Sequence, residues 1–235
     1  MTKSKVFSHV FDEETLRNVN KLQGDGYIGN LLGPIGTGKE SYVFYSRDFH
    51  DKLVAVKIHR HNINSFKSIP SYIRLRGRKS GGFIKQINDW TKFEYNFLSK
   101  AHNLGINTPE PIRCYENIIV MQFVGTEDNP SKPAIKDKDF DVEKWYNLII
   151  SFIIIMAKNG MIHGDLSPYN ILNYNGEPFI IDFSQALKFS SSTVNFLIRD
   201  ITNINNWFLS LKYQKIKEVN DIIDEIGYED ENEGR

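Results

Sequence analysis

Asp165 and Asn170 lie five residues apart in His163-Gly-Asp-Leu-Ser-Pro-Tyr-Asn170, and Asp182 closes the apolar run Phe179-Ile180-Ile181. Phosphoryl transfer needs this set of side chains. A carboxylate such as Asp165 accepts or orients a hydroxyl proton. Asn170 and Asp182 supply oxygen ligands to metal ions that neutralise phosphate charge. The other reading of the stretch is a polar loop between two buried elements.

That context begins at Gly33-Pro-Ile-Gly36-Thr37-Gly38-Lys39-Glu40-Ser41. Glycines let a backbone approach a polyphosphate and point N–H groups at it. Gly33 to Lys39 also satisfies the Gly-x4-Gly-Lys half of a nucleotide-binding P-loop. That reading fails because Glu40 stands where the magnesium-binding Ser or Thr belongs, and Tyr42-Val-Phe-Tyr45 is strand-like instead of opening a helix. A glycine hairpin between two strands fits better, and Gly36, Thr37, Gly38, Lys39 and Ser41 become candidate nucleotide contacts. Lys57, ending the apolar strand Leu53-Val-Ala-Val-Lys57, is placed to reach the α and β phosphates; an edge lysine at a solvated strand end is the other reading.

Glu94 is the one acid on a helical stripe of Trp90, Phe93, Phe97, Leu98, Ala101 and Leu104, which Gly105 and Pro109 end. A carboxylate there is costly unless paired, so it is assigned to Lys57; a place at the solvated margin of the stripe is the alternative. Ile118 to Val124 reads as a buried strand leaving the lobe as a hinge. Adenine would bond backbone groups near Gln122 and Val124, with Met121 flanking the pocket. A plain core strand makes the same pattern. Asp141 caps a long apolar helix that ends at Asn159-Gly160, and Asn175-Gly176 predicts a hairpin that returns Asp182 beside Asp165 and Asn170. His163 has no second ligand at metal spacing and is read as holding its loop by hydrogen bonds. His59 and His61 make no convincing pair.

The 235 residues carry 29 basic and 29 acidic side chains, so no global attraction to nucleic acid or membrane follows. Between Lys57 and Lys92, however, nine Lys or Arg face one acid, interleaved with Phe66, Tyr72, Phe83 and Trp90. This stretch reads either as a contact for RNA or as a solvated connection, with residues 62–88 expected to be irregular. Cys114 is the only cysteine, which excludes an internal disulfide and fits a reducing, cytoplasmic compartment. No run is long and apolar enough to span a bilayer, and Met1 to Lys5 does not resemble a signal peptide. From Glu218 to Glu233 there are eight acids and no base, with Ile222, Ile223 and Ile226 suggesting a helix start followed by disorder.

With these residues in place, the chain resembles the RIO family of atypical protein kinases, and within it the Rio-one branch. Residues 10 to 212 carry the likeness, through Thr37-Gly-Lys-Glu40, Trp90-Thr-Lys-Phe-Glu94, Thr108-Pro-Glu-Pro-Ile112, His163-Gly-Asp-Leu-Ser167, Ile181-Asp-Phe-Ser-Gln185 and Phe196-Leu-Ile-Arg-Asp-Ile-Thr-Asn-Ile204. The resemblance implies binding of ATP with Mg2+ or Mn2+, serine autophosphorylation and a role in maturing the small ribosomal subunit. The precursor of that subunit would be the partner, through the basic 57–92 region. It makes Asp165 catalytic, Asn170 and Asp182 metal ligands and Lys57 a phosphate ligand, and it raises phosphate transfer to Asp182 itself. Gly36, Ser41-Tyr42 and Gly164 depart towards the second branch, but the residues ahead of the glycine hairpin are too few for that branch's winged helix. Only 53 residues follow Asp182, without an Ala-Pro-Glu segment, and Gly164 replaces the arginine with which ordinary kinases sense a phosphorylated activation loop.

The expected fold is α+β and bilobal, with a small β-rich N-lobe and a reduced, mainly helical C-lobe. Its expected parts are a helical extension at 1–32 packed on the kinase domain, an N-lobe with hinge at 33–124, a C-lobe at 125–217 and an acidic tail at 218–235. Three rivals stand beside the RIO reading: a small-molecule phosphotransferase of the aminoglycoside or choline kinase type, the small kinase of the tRNA-modification complex, and an inactive nucleotide-binding scaffold.

Overall fold

β-Branched and aromatic residues dominate positions 41–47 and 53–59, and they form the centre of a five-stranded antiparallel sheet. The computed structural model describes residues 11–62, 67, 82–127 and 129–228. Its first compact unit holds residues up to 96 together with 109–130. There β1 (Gly33–Thr37), β2 (Ser41–Arg47), β3 (Leu53–His59), β4 (Pro111–Tyr115) and β5 (Ile118–Gln122) are ordered β1-β2-β3-β5-β4. The glycine stretch is a hairpin, with Thr37 opposite Tyr42 and the Gly38 N–H donating to Ser41 O at 2.9 Å.

β3 is buried along nearly its whole length, so both of its faces are packed. The two-residue period of a strand sends Val54, Val56 and Ile58 one way and Ala55, Lys57 and His59 the other. The first set joins Phe44, Ile118 and Val120 in an apolar cluster completed by Val19 and Leu22 of α1 (Glu13–Gly24). Asp12 caps α1 by accepting from the Thr15 N–H at 2.9 Å.

Helix α2 spans Phe83–Asn103, beginning seven residues before Trp90 and inside the expected irregular stretch. Phe83, Ile87 and Trp90 recur at i, i+4 and i+7 and form a small apolar cluster with Phe93, which the polar residues between them hide in the sequence. The basic connection's Phe66, Tyr72, Arg74, Arg76 and Arg78 lie outside the described residues.

The second unit comprises residues 97–108 and 131–235, so the end of α2 groups here and 125–130 groups with the first unit. It is built on α3 (Val142–Lys158), whose Trp145, Tyr146, Ile149, Ile150, Phe152 and Ile153 are all buried. Asp141 caps it, accepting from the Lys144 N–H at 2.9 Å. A short strand β6 (Lys132–Pro133), too brief to leave a periodic signal, pairs with β8 (Ile171–Tyr174), which pairs with β9 (Glu177–Ile180). Asn175 and Gly176 join β8 to β9 with φ of 54° and 77°, the double left-handed conformation that an Asn-Gly hairpin supplies. β7 (Met161–Ile162) pairs with β10 (Leu187–Lys188).

α4 (Val194–Ser210) and α5 (Val219–Ile226) complete this unit. The helix start expected in the acidic segment is α5, on which Ile222 and Ile226, four apart, are both buried. Among the described residues, no helix is long and apolar enough to cross a membrane.

Candidate functional site

In the first unit, Lys57 is carried by β3 and its Nζ lies 2.6 Å from Glu94 Oε1. Both side chains are buried, with exposures of 6% and 4%. The strand does not end at the lysine but continues to His59, whose Nε2 lies 2.7 Å from Glu94 Oε2. One carboxylate thus bridges a lysine and a histidine from the same strand face. The sequence points to the lysine and the acid, whereas no metal-ligand spacing or local pattern marks His59 as their partner.

Gly36, Thr37, Gly38 and Lys39 are exposed at the hairpin tip and Ser41 is half-buried, with the Gly38 N–H spent on Ser41 O. The hinge is more selective than expected. Gln122 cannot offer its N–H to an adenine, because that group donates to Glu110 O at 2.8 Å. The Gln122 side chain is committed to the same residue, its Oε1 accepting from the Glu110 N–H at 3.2 Å. Met121 lies within β5, paired with Ala55 and Pro111, and Val124 follows the strand. Cys114 is partly buried, and that burial, with Glu94 next in effect, pushes its thiol up to about 12. It is no nucleophile.

In the second unit, Asp165 is exposed and Asn170 half-buried on the loop between β7 and β8. Asn170 Nδ2 donates to Asp165 O at 2.8 Å and to Asp165 Oδ2 at 3.2 Å. Both bonds use the amide nitrogen, so Asn170 Oδ1, the atom a metal would take, is not spent on Asp165. Asp182 is delivered to this loop by backbone pairing, the Ile181 N–H donating to Asn170 O at 3.0 Å. It has a left-handed φ of 65°, and its Oδ1 accepts from the Ser184 N–H at 3.3 Å. His163 is buried and joins the same strands: its Nδ1 accepts from the Asp165 N–H at 3.3 Å, so Nε2 carries the proton bonded to Ile181 O at 3.0 Å. The histidine locks a loop, as its sequence context predicts.

Among the described residues, no three His, Cys, Asp or Glu side chains converge on a point. One carboxylate and one amide oxygen are nevertheless the donor set of an ion that takes its remaining ligands from phosphate and water, as Mg2+ and Mn2+ do. The residues present fit such an ion.

The strongest support for the catalytic loop comes from Asp200 on α4, named in the sequence only as part of a longer motif. Its side chain accepts from the Gly164 N–H at 2.7 Å and from the Leu166 N–H at 3.0 Å, on either side of Asp165. Arg199 donates to Gly164 O, and Asn203 Nδ2 to Leu166 O at 3.3 Å. Burial outweighs these contacts and the nearby His163, and raises the Asp200 carboxyl above its ordinary value of 3.8. An acid within an amphipathic helix, three residues before Asn203, was the available signal. Gly164 sits at φ 79°, where a Cβ would lie 2.3 Å from Gln185 O, which accounts for a glycine here in steric terms.

The RIO domain family matches residues 42–221. The RIO-type serine/threonine-protein kinase Rio1 of Methanocaldococcus jannaschii is 36% identical over 87% of this chain and 71% of its own length. The Haloferax volcanii protein of the same name is 33% identical over 87% of this chain and 72% of its own. The human serine/threonine-protein kinase RIO1 is 28% identical, and the chain spans only 41% of its length. A crystal structure of the Rio2 kinase from Chaetomium thermophilum, in an ADP/Mg2+-phosphoaspartate complex, superposes with a TM-score of 0.70 at 24% identity, covering 90% of this chain and 66% of that one. This supports the α+β kinase-like fold.

Proposed function

The chain belongs to the RIO family of serine/threonine-protein kinases, and from that premise we propose that it transfers the γ-phosphoryl group of ATP through Lys57, Asp165, Asn170 and Asp182. The observation that carries this reading is the loop of the second unit. It holds an exposed carboxylate, a neighbouring amide oxygen and the carboxylate of Asp182 on one backbone-paired frame. Lys57 would hold the α and β phosphates, with the hairpin's Gly36 to Lys39 and Ser41 covering them and Met121 and Val124 beside the adenine. Mg2+ or Mn2+ on Asn170 and Asp182 would neutralise the transferred group.

Asp165 orients the attacking hydroxyl and takes its proton. When Asp182 is the acceptor, its carboxylate oxygen bonds to the γ-phosphorus, the bond to the β-phosphate oxygen breaks and ADP leaves. Water then hydrolyses the acyl phosphate to phosphate and free carboxylate. The Rio2 structure is a phosphoaspartate complex, which supports this route here. We further propose the cytoplasm as the compartment and the precursor of the small ribosomal subunit as the partner, on the family resemblance and the basic 57–92 stretch. Phe66, Tyr72, Arg74, Arg76 and Arg78 of that stretch lie outside the described residues.

Turnover of γ-labelled ATP with and without small-subunit particles tests this. ATP-dependent label should appear on the protein, hydroxylamine should remove the part held on Asp182, and the particles should change the rate. A protein that turns over no ATP with either metal sinks the reading. Label confined to serine removes the aspartyl route alone.

A further inference from the structure

Glu94 is held from two sides. Its Oε1 meets Lys57 at 2.6 Å and its Oε2 meets His59 at 2.7 Å. Lys57 and His59 are two apart on β3, so they share a face, and both are buried, at 5% and 1% exposure. The His59 ring packs on Trp90, centroids 4.6 Å apart, one turn before Glu94 on α2. Its Nδ1 is buried without a hydrogen-bond partner. A carboxylate only accepts, so the proton of the bond to Glu94 sits on Nε2, and the ring's one hydrogen bond is spent on Glu94. An orphaned buried lone pair is costly, and an apolar side chain of similar size would avoid it.

The backbone of His59 is fixed as firmly as its ring. Its N–H donates to Asn117 O at 2.9 Å, and its carbonyl accepts from Asn117 Nδ2 at 2.8 Å. Asn117 Nδ2 also donates to Thr15 Oγ1, and Asn117 Oδ1 accepts from Asn18, both at 2.9 Å. Helix α1 is therefore anchored to the strand position that carries the histidine.

We propose that His59 is a positioning residue for Lys57: by donating to Glu94 Oε2 it fixes the carboxylate so that Oε1 faces the lysine. The proposal rests on the phosphotransferase reading for its effect on ATP, but its structural core can be read without turnover. A carboxylate with one oxygen free can rotate about its last torsion; one with both oxygens bonded cannot.

The test uses His59→Leu, His59→Gln and His59→Asn in the full chain. Glutamine places an N–H where Nε2 stands, whereas asparagine is too short to reach Glu94. His59→Leu and His59→Asn should raise KM for ATP about tenfold with kcat within about threefold, because a lysine bonding phosphate in both ground and transition states contributes uniform binding. His59→Gln should restore KM to within about threefold of the parent protein. Independently of turnover, acylation of Lys57 by acetic anhydride, followed by mass spectrometry, should be about threefold or more faster in His59→Leu, since an ammonium held less firmly by Glu94 gives up its proton more readily. Thermal melts accompany both readouts.

A lowered melting temperature with unchanged KM and Lys57 acylation overturns the proposal and leaves His59 a packing residue. Equal KM in the Gln and Asn variants overturns it as well, and that pair decides the matter if His59→Leu does not fold. Absence of ATP turnover in the parent protein sinks the phosphotransferase reading instead, and Lys57 acylation then decides the positioning role alone.

Discussion

Two buried carboxylates, one in each unit, solve the same problem differently. Glu94 is satisfied by side chains, Lys57 on one oxygen and His59 on the other. Asp200 is satisfied chiefly by backbone, accepting the Gly164 and Leu166 N–H groups. The first arrangement orients a cation, Lys57, to which the proposed function assigns the phosphates. The second orients a loop, and so leaves Asp165, between its two anchor points, exposed for chemistry. The comparison separates binding from turnover: damage to Glu94 should appear in KM, and damage to the loop in kcat.

The largest expected effect sharpens that division. Asp165→Ala should lower turnover about 10²- to 10⁴-fold while ATP binding and the melting temperature hold, because the side chain is exposed and its loop is held through backbone. Steady-state kinetics with a nucleotide-binding titration check this, and unchanged phosphate release would remove Asp165 from its role. Glu94→Gln comes next. The amide removes the negative charge facing Lys57 and His59, and breaking a buried ion pair costs about 3–5 kcal/mol in chemical denaturation, with a raised KM for ATP. A variant with parental stability would show that water compensates the lysine.

Asp200→Asn should be milder, about 1–3 kcal/mol for one backbone N–H left without an acceptor. Its pH dependence tests the stated cause. Burial raises the folded-state value of Asp200 above 3.8, so the folded protein holds that proton more tightly than the unfolded chain. The associated stability is complete below 3.8 and is lost as pH rises through the raised value. The melting temperature of the parent protein relative to Asp200→Asn should therefore be higher at acid pH than at neutrality. A constant or opposite difference would mean that the two N–H bonds outweigh burial.

Much of this was legible in the sequence because local rules govern it. Gly36 to Ser41 had to turn, Asn175-Gly176 had to form a hairpin, and an acid on the Trp90 stripe needed a cation. The misses share a cause. His59, Asp200 and the Gln122 N–H take their meaning from partners 35, 36 and 12 residues away, and nothing in their neighbours reports that distance. The early start of α2 at Phe83 and the burial of α5 were missed because a few apolar residues at helical spacing are outnumbered by polar ones.

The sequence by itself determined the chemical inventory, the order of elements around it and the RIO family, since residue types, periodicity and motif spacing are properties of the chain. Only the tertiary structure decided that Lys57 shares its carboxylate with His59, that Gln122 is already engaged and that Asp200 anchors the loop carrying Asp165. Each of these depends on which buried polar group finds which partner. That choice follows from the packing of elements far apart in the chain, where every donor taken out of water must meet an acceptor or forfeit the bond.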